Sequence, residues 1–173
     1  LRDAFATATW YSASKTFYPT AEEGLSPTAS RVCDAVFKSA PQISSELVNR
    51  DVLSSNAAKA QRLLMHRMLS HGDYPELDYS GYPAEAGLYH TILVPLGLHR
   101  TVKKRGVFSS PELSKEMEGA RSLMPLWQVW CELLQGSDEA ITLAELYDVA
   151  RQIPYGVKQG VLPILALAFL LTH

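Results

Sequence analysis

The chain has 173 residues, of which 47% are hydrophobic and 20% are charged, and its formal net charge is −2. This length predicts one domain or two very small ones, and the near-neutral charge gives no overall attraction to nucleic acid or acidic membranes. Cys33 and Cys131 are far apart and lack metal-ligand spacing, so we expect small core residues of a cytoplasmic protein rather than a disulfide framework.

The N-terminal part of the sequence has little periodicity. Residues 4–11 could end a helix or form a short strand, and the chain opens at Leu1 without an initiator Met. Ser26 and Pro27 are typical of a helix N-cap and first turn, so we predict a helix over residues 27–38.

A short helix or turn is predicted over residues 43–50. Within it, Arg50 lies one helical turn after Glu46, so the two side chains could form an ion pair. Arg50 could instead project toward a nucleotide as an arginine sensor. Both interpretations are open at the level of sequence.

The clearest helix of the sequence follows Ser54 and Ser55. Its apolar residues recur at intervals of three and four, the pattern of an amphipathic helix, and Gly72 is expected to take the left-handed conformation after its end. The residues of this stripe are Ala57, Ala60, Leu64, Met68 and Leu69.

Residues 73–83 are rich in turn-forming residues, and a helix over residues 84–94 is predicted to follow. The acidic residues Glu76 and Asp78 are expected to be solvated in a loop. The tyrosines of this region could line a ligand groove or pack a loop onto the body of the protein. They are Tyr74, Tyr79, Tyr82 and Tyr89.

A basic run at residues 99–105 lies within residues 98–110, which are predicted to form a loop or an irregular strand. Four fixed positive charges within six residues could hold the phosphates of a nucleic acid or a nucleotide. Because no aromatic residues are interleaved, a solvated loop or a contact with an acidic partner surface is the alternative. The candidate phosphate-binding residues are Arg100, Lys103, Lys104 and Arg105.

A helical region is predicted over residues 111–135, with a break expected before Pro125. Thr142 and Glu145 have the spacing of a capping box, so another helix is expected to begin there and to end near Gln152. The residues that this helix should present to the core are Leu143, Leu146, Tyr147 and Ala150.

Residues 161–171 are apolar on every face, so the helix they form has to be enclosed by other protein. It is well short of the roughly 20 residues that a membrane crossing needs. Because little sequence follows to cover it, we expect the chain to be a piece of a longer protein that supplies the missing cover.

The predicted fold is mainly α, a multi-helical orthogonal bundle whose last three helices have the order of a helix-turn-helix or winged-helix-like core. We predict a helical subdomain over residues 1–110 and this core over residues 111–173, with the wing strands beyond His173. The last helix contains no Arg, Lys, Asn or Gln, so we do not expect it to read DNA.

Motifs of the common catalytic sites are missing from the sequence. It contains no GxxxxGK[ST] phosphate-binding loop, no GxSxG nucleophile elbow and no HExxH zinc motif. We therefore expect no complete catalytic site, cofactor or metal site within this chain.

Several short segments between residue 31 and the end of the chain carry a family resemblance. They are APQI (40–43), ELVNR (46–50), LSSNAAKA (53–60), GYPAE (81–85), LY (88–89), GLH (97–99), PYGVK (154–158) and GVLP (160–163). In this order they are similar to a pattern in large bacterial P-loop ATPases of anti-phage defence loci, the BREX-type and related ATP-binding proteins.

The resemblance implies a helical, winged-helix-like region that follows an ATPase core, with the phosphate loop and any bound ATP and magnesium upstream of this chain. We expect a non-catalytic module that contacts other domains of the same polypeptide, a protein partner or a second copy, and no membrane. The alternative is a nucleic-acid-binding module that uses the basic segment 99–105.

Overall fold

A computed structural model of the chain describes residues 10–12, 15–17, 25–137 and 139–173. This part is mainly helical, as predicted, with two short pairs of antiparallel strands. The helices are α1 (Leu25–Val36), α2 (Ser55–Ser70), α3 (Ala84–Leu88), α4 (Glu118–Gln135), α5 (Leu143–Arg151) and α6 (Leu162–Thr172), and the strands are β1 (Trp10–Ser12), β2 (Lys15–Phe17), β3 (His99–Val102) and β4 (Arg105–Phe108). Of residues 4–11, whose conformation the sequence leaves open, the first six lie outside the described part and the last two belong to β1.

Helix α1 agrees closely with the predicted helix over residues 27–38. Val32, Ala35 and Val36 form a stripe along this helix and are half-buried. Cys33, expected in the core, is exposed, because it lies to one side of this stripe on the helical surface.

Helix α2 begins where the sequence predicts it, with the Ser54 side chain accepting a hydrogen bond from the N–H of Ala57 at 3.3 Å. Gly72 is not left-handed, against the prediction. Glycine is needed there because a side chain would meet the Met68 carbonyl oxygen at 2.7 Å and the Phe108 ring at 2.9 Å. The residue allows β4 to approach the end of α2.

The predicted helix over residues 84–94 consists of α3 and one wide π-helical turn, Tyr89–Leu93. Gly97, with a φ of 66°, then redirects the chain into β3, a conformation that glycine adopts without strain. Residues 98–110, predicted as a loop or an irregular strand, contain the regularly paired hairpin β3–β4. Cross-strand pairing and packing stabilise these strands, although their sequences lack clear alternation of apolar and polar residues.

Helix α4 is continuous through Pro125, so the predicted break does not occur. A proline inside a helix costs about 3 kcal/mol because it removes a hydrogen bond and crowds the preceding turn. Burial of the apolar residues on either side offsets this cost. These residues are Leu123, Leu126, Trp127 and Trp130.

Helix α5 begins with the predicted capping box. The N–H of Thr142 donates to Glu145 Oε2 at 2.7 Å, and the N–H of Glu145 donates to Thr142 Oγ1 at 3.3 Å. Leu146 and Ala150 are buried as expected, but Leu143 is 49% exposed. That prediction was wrong because the helix meets the core only from Leu146 onward.

Helix α6 lies at the centre of the core and contacts α2, α5 and β4. The ring centroid of Phe169 lies 4.9 Å from that of Trp127 and 5.3 Å from that of Trp130. Described residues of this chain therefore bury most of the helix, against the expectation that its cover comes from polypeptide outside the chain, while Leu170 is 47% exposed. Its buried residues are Leu162, Ile164, Leu165, Ala166, Ala168 and Phe169.

A continuous hydrophobic cluster joins buried residues from both sides of residue 110, and the proposed division at this point stays a prediction. Because α6 is buried in this cluster, it is not available to a DNA groove. Within the described ranges, no helix is both long enough and apolar enough to cross a bilayer.

Candidate nucleic-acid interface

The basic segment forms the antiparallel hairpin β3–β4, in which Arg100 pairs with Val107 and Val102 pairs with Arg105. Because side chains alternate along a strand, these four residues share one face of the hairpin. Both valines are exposed, so this face combines two arginines with accessible apolar surface. The opposite face carries His99, Thr101, Gly106 and Phe108.

Lys103 and Lys104 form the two-residue turn of the hairpin, with φ values of 49° and 67°. Positive φ at both central positions is the type I′ arrangement, which hairpins usually build from Asn-Gly. A non-glycine residue in the left-handed region costs roughly 1–2 kcal/mol. Strain of this kind is concentrated at functional sites in proteins, so the lysine turn is a candidate for one.

The cations of the hairpin have no acidic partner among the described residues. Arg100, Lys103, Lys104 and Arg105 form no ion pair there, and the buried Nε of Arg100 has no hydrogen-bond partner. Their positive charge is therefore available to an external anion. The salt bridges of the described ranges join Arg67 to Asp78, Arg151 to Asp148 and Lys158 to Asp51.

The hairpin is fixed, one residue pair away from its turn-flanking pair, to the segment that follows α2. The N–H of Gly106 donates to the carbonyl of Asp73 at 2.9 Å. A methyl group at Gly106 would overlap the carbonyl oxygens of Tyr74 and Gly72 and the Nε2 of His99. Only glycine allows this approach, so the hairpin is held in a defined position.

His99 links the hairpin to the wide turn after α3. Its Nε2 donates to the carbonyl of Gly72 at 2.9 Å, so Nδ1 of the neutral ring accepts from the hydroxyl of Tyr89 at 3.1 Å. Burial lowers the pKa of His99 below its ordinary value of 6.5, and the bond to Gly72 opposes this only in part. Burial, with a smaller contribution from Glu76, raises the pKa of Tyr89 to about 12.

The lowered pKa of His99 predicts that acid destabilises the protein. Below pH 6.5 the unfolded chain binds a proton at His99 more readily than the folded chain does, so the free energy of unfolding decreases as the pH falls toward the folded-state pKa. Between pH 7 and 5, urea denaturation should show a smaller decrease in the free energy of unfolding for His99→Gln than for the wild type. Gln keeps a hydrogen-bond donor for the Gly72 carbonyl. The control His66→Gln, at an exposed position of α2, should show the same pH dependence of the free energy of unfolding as the wild type. The same pH dependence in all three proteins would contradict the prediction.

A second strained segment packs against the hairpin. Glu76, Leu77 and Asp78 have φ values of 51°, 54° and 56°, and their turn, Pro75–Asp78, contacts β3 and β4. Leu77 is buried, and Arg67 donates to its carbonyl at 3.3 Å. Every described non-glycine residue with positive φ belongs to this turn or to the lysine turn, so backbone strain is concentrated at one site.

A cleft of about 260 Å³ lies between β3 and this strained turn. His99, Arg100 and Thr101 of β3 line it, and of the described residues none from β4 does. Glu76 contributes the carboxylate of the cleft. The other lining residues are Tyr89, His90, Val94, Gly97, Ser114 and Met117.

The structure brings the four predicted phosphate-binding cations together on one hairpin and places Arg50 in another part of the fold. Arg50 is exposed after the short 3₁₀ turn Glu46–Asn49, and its carbonyl accepts from the N–H of Gly160. It forms no ion pair with Glu46 among the described contacts, because a 3₁₀ turn does not align residues four apart. Its role as a nucleotide sensor stays a prediction.

Glu76 and Asp78 are exposed, as the sequence predicts, but the position of Glu76 beside the cleft was not foreseen. Among the four tyrosines considered for a groove, only Tyr89 lines the cleft, and Tyr82 is 96% exposed. A sequence feature that could have indicated close backbone packing here is the set of glycines at the contact points. They are Gly72, Gly97 and Gly106.

Comparisons of the chain with family models, curated proteins and solved structures found no match.

Proposed function

We propose that the chain is a non-catalytic binding module whose β3–β4 hairpin holds the phosphate backbone of a nucleic acid. The observation that supports this proposal is the row of four cations, without acidic partners among the described residues, on one ordered hairpin. Ordering a flexible loop on binding would cost about 1–2 kcal/mol per residue, and a formed hairpin avoids this cost. The exposed Val102 and Val107 add apolar surface for sugars or bases.

The overall charge of −2 does not oppose this function, because charges more than about 8 Å away are largely screened at physiological salt. Each phosphate that a Lys or Arg neutralises on a single strand changes the slope of log K against log salt by about −0.7. Four such contacts predict an affinity that falls about 50-fold between 50 and 200 mM salt.

Replacing Arg100, Lys103, Lys104 and Arg105 together by Ala is expected to weaken binding to an oligonucleotide roughly 100-fold, since each contact contributes up to about 1 kcal/mol. Fluorescence anisotropy of a labelled oligonucleotide measures this change. The matched control removes four exposed cations elsewhere and should change the affinity less than about threefold. Its residues are Lys38, Lys59, Arg62 and Arg121. Equal losses in both variants would assign the effect to net charge and contradict the proposal.

Replacing the turn residues by the sequence that the turn prefers should separate stability from binding. We expect Lys103→Asn with Lys104→Gly to raise the free energy of unfolding by about 1–2 kcal/mol, because Asn and Gly adopt positive φ with little strain. The same variant should bind the oligonucleotide more weakly, with a salt slope shallower by about 1.4 because two cations are lost. Urea denaturation and anisotropy measure the two effects. A less stable variant, or one with unchanged binding, would contradict this interpretation of the turn.

We also propose the wider setting that the sequence resemblance implies. In it the chain is the winged-helix-like part of a larger cytoplasmic bacterial anti-phage ATPase, with ATP and magnesium bound upstream and Arg50 near the nucleotide. The order of α4, α5 and α6 supports this setting, and exposed apolar side chains offer contacts to other domains, a protein partner or a second copy. These side chains are Val52, Leu69, Tyr82, Leu113 and Ile153.

A further inference from the structure

The cleft beside β3 is lined by charged residues of both signs, whereas the turn and β4 of the hairpin carry only positive charges. Glu76 brings a carboxylate to it, and Arg100 brings a guanidinium group whose buried Nε has no hydrogen-bond partner among the described residues. A carboxylate that lines the cleft disfavours an anion inside it, because like charges repel each other, whereas phosphates bind along the exposed face of the hairpin. The cleft suits a neutral group that carries both hydrogen-bond donors and acceptors.

The volume of the cleft suits a flat ring system smaller than a drug-sized ligand. Pockets for such ligands measure roughly 300–1,000 Å³, and a cavity of about 150 Å³ accepts benzene. A bicyclic base therefore matches a cleft of about 260 Å³. Val94 and Met117 supply apolar surface against which a base can pack.

We infer that the cleft holds an unpaired guanine of a single-stranded nucleic acid, an inference that rests on the proposed function of the hairpin. Guanine presents two adjacent donors, N1–H and the 2-amino group, and on another edge the acceptors O6 and N7. The carboxylate of Glu76 accepts from the donors, and the guanidinium group of Arg100 donates to the acceptors. No other standard base offers two adjacent donor nitrogens to one carboxylate.

Arg100 belongs both to the cleft and to the row of cations, so a base in the cleft lies beside the phosphate-binding residues. Along the strand, Arg100 and Lys103 are roughly 10 Å apart, so the backbone of the same nucleic-acid strand reaches the lysine turn. In a duplex, N1 and the 2-amino group of guanine already pair with cytosine. The cleft therefore selects single strands.

The test compares three short oligothymidines that differ only at the central position, which carries thymine, guanine or inosine. Anisotropy with the whole chain should show the guanine oligonucleotide binding roughly tenfold more tightly than the thymine one. Inosine, which lacks the 2-amino group, should lose most of this preference. Glu76→Gln should reduce the guanine preference to less than about threefold without weakening the thymine oligonucleotide, while the exposed control Glu116→Gln should keep the wild-type preference.

The outcomes separate this inference from the proposed function. Equal affinity for the three oligonucleotides, or tighter binding of a guanine-containing duplex, would overturn the guanine site. The hairpin proposal would still stand if the variant with four alanines binds more weakly than the wild type. Binding that is undetectable for every oligonucleotide would overturn both. If Glu76→Gln binds all three oligonucleotides more weakly and to the same extent, Glu76 has a structural role, and this result would also overturn the inference.

Discussion

Phe169→Asp is expected to unfold the protein at 25 °C. Phe169 is fully buried between Trp127 and Trp130, and removing such a ring costs about 3–5 kcal/mol. An unpaired carboxylate in its place adds several kcal/mol. The sum reaches the total stability of typical domains, about 5–15 kcal/mol. Far-UV circular dichroism and urea denaturation measure the loss.

The neighbouring residue provides a matched control for this prediction. Leu170 is 47% exposed on the same helix, so we expect Leu170→Asp to change the free energy of unfolding by about 0.5 kcal/mol or less. Leu167 is half-buried, and Leu167→Asp should fall between the two. If Phe169→Asp unfolded cooperatively at the same urea concentration as the wild type, Phe169 would not be buried by this chain.

Gly106→Ala is expected to destabilise the protein by about 3 kcal/mol and to release the hairpin from the end of α2. The added methyl group would overlap the Tyr74 and Gly72 carbonyl oxygens, which are backbone atoms and cannot move aside as a flexible side chain can. Overpacking of this kind costs roughly 1–3 kcal/mol or more. Hydrogen exchange should show faster exchange at the amides of β3 and β4, and urea denaturation gives the energy.

Gly87→Ala is the control for the effect of glycine replacement itself. Gly87 lies in α3 with no atom within 4 Å of an added methyl group, and alanine favours a helix over glycine by about 0.8–1 kcal/mol. We expect this variant to be more stable than the wild type. Equal stability changes in Gly106→Ala and Gly87→Ala would contradict the close approach of Gly106 to the segment after α2.

The elements that the sequence predicts well are those specified by local chemistry. The capping box of Thr142 and Glu145 lies within a few residues and forms as expected. Ser54 begins α2 for the same reason. Local sequence rules predict the structure less well where tertiary packing opposes them. Pro125 remains within a continuous helix because its apolar neighbours are buried.

The hairpin and its cleft depend on contacts between residues distant in sequence, which local patterns do not reveal. The turn residues Lys103 and Lys104 lack the Asn-Gly sequence that usually indicates a type I′ turn. Glu76 adopts positive φ without being glycine or asparagine, so nothing in its sequence context indicates a left-handed turn. The contact between His99 and Tyr89 arises only when the wide turn after α3 packs beneath β3.

The salt dependence of binding to oligothymidine tests the phosphate contacts of the hairpin most directly. For the unmodified chain we expect a slope of log K against log salt of about −2.8, which corresponds to four contacts on a single strand. The variant with Ala at Arg100, Lys103, Lys104 and Arg105 should have a slope close to zero. A wild-type affinity that does not change with salt, or the same slope in both proteins, would contradict the assignment of phosphate binding to β3–β4.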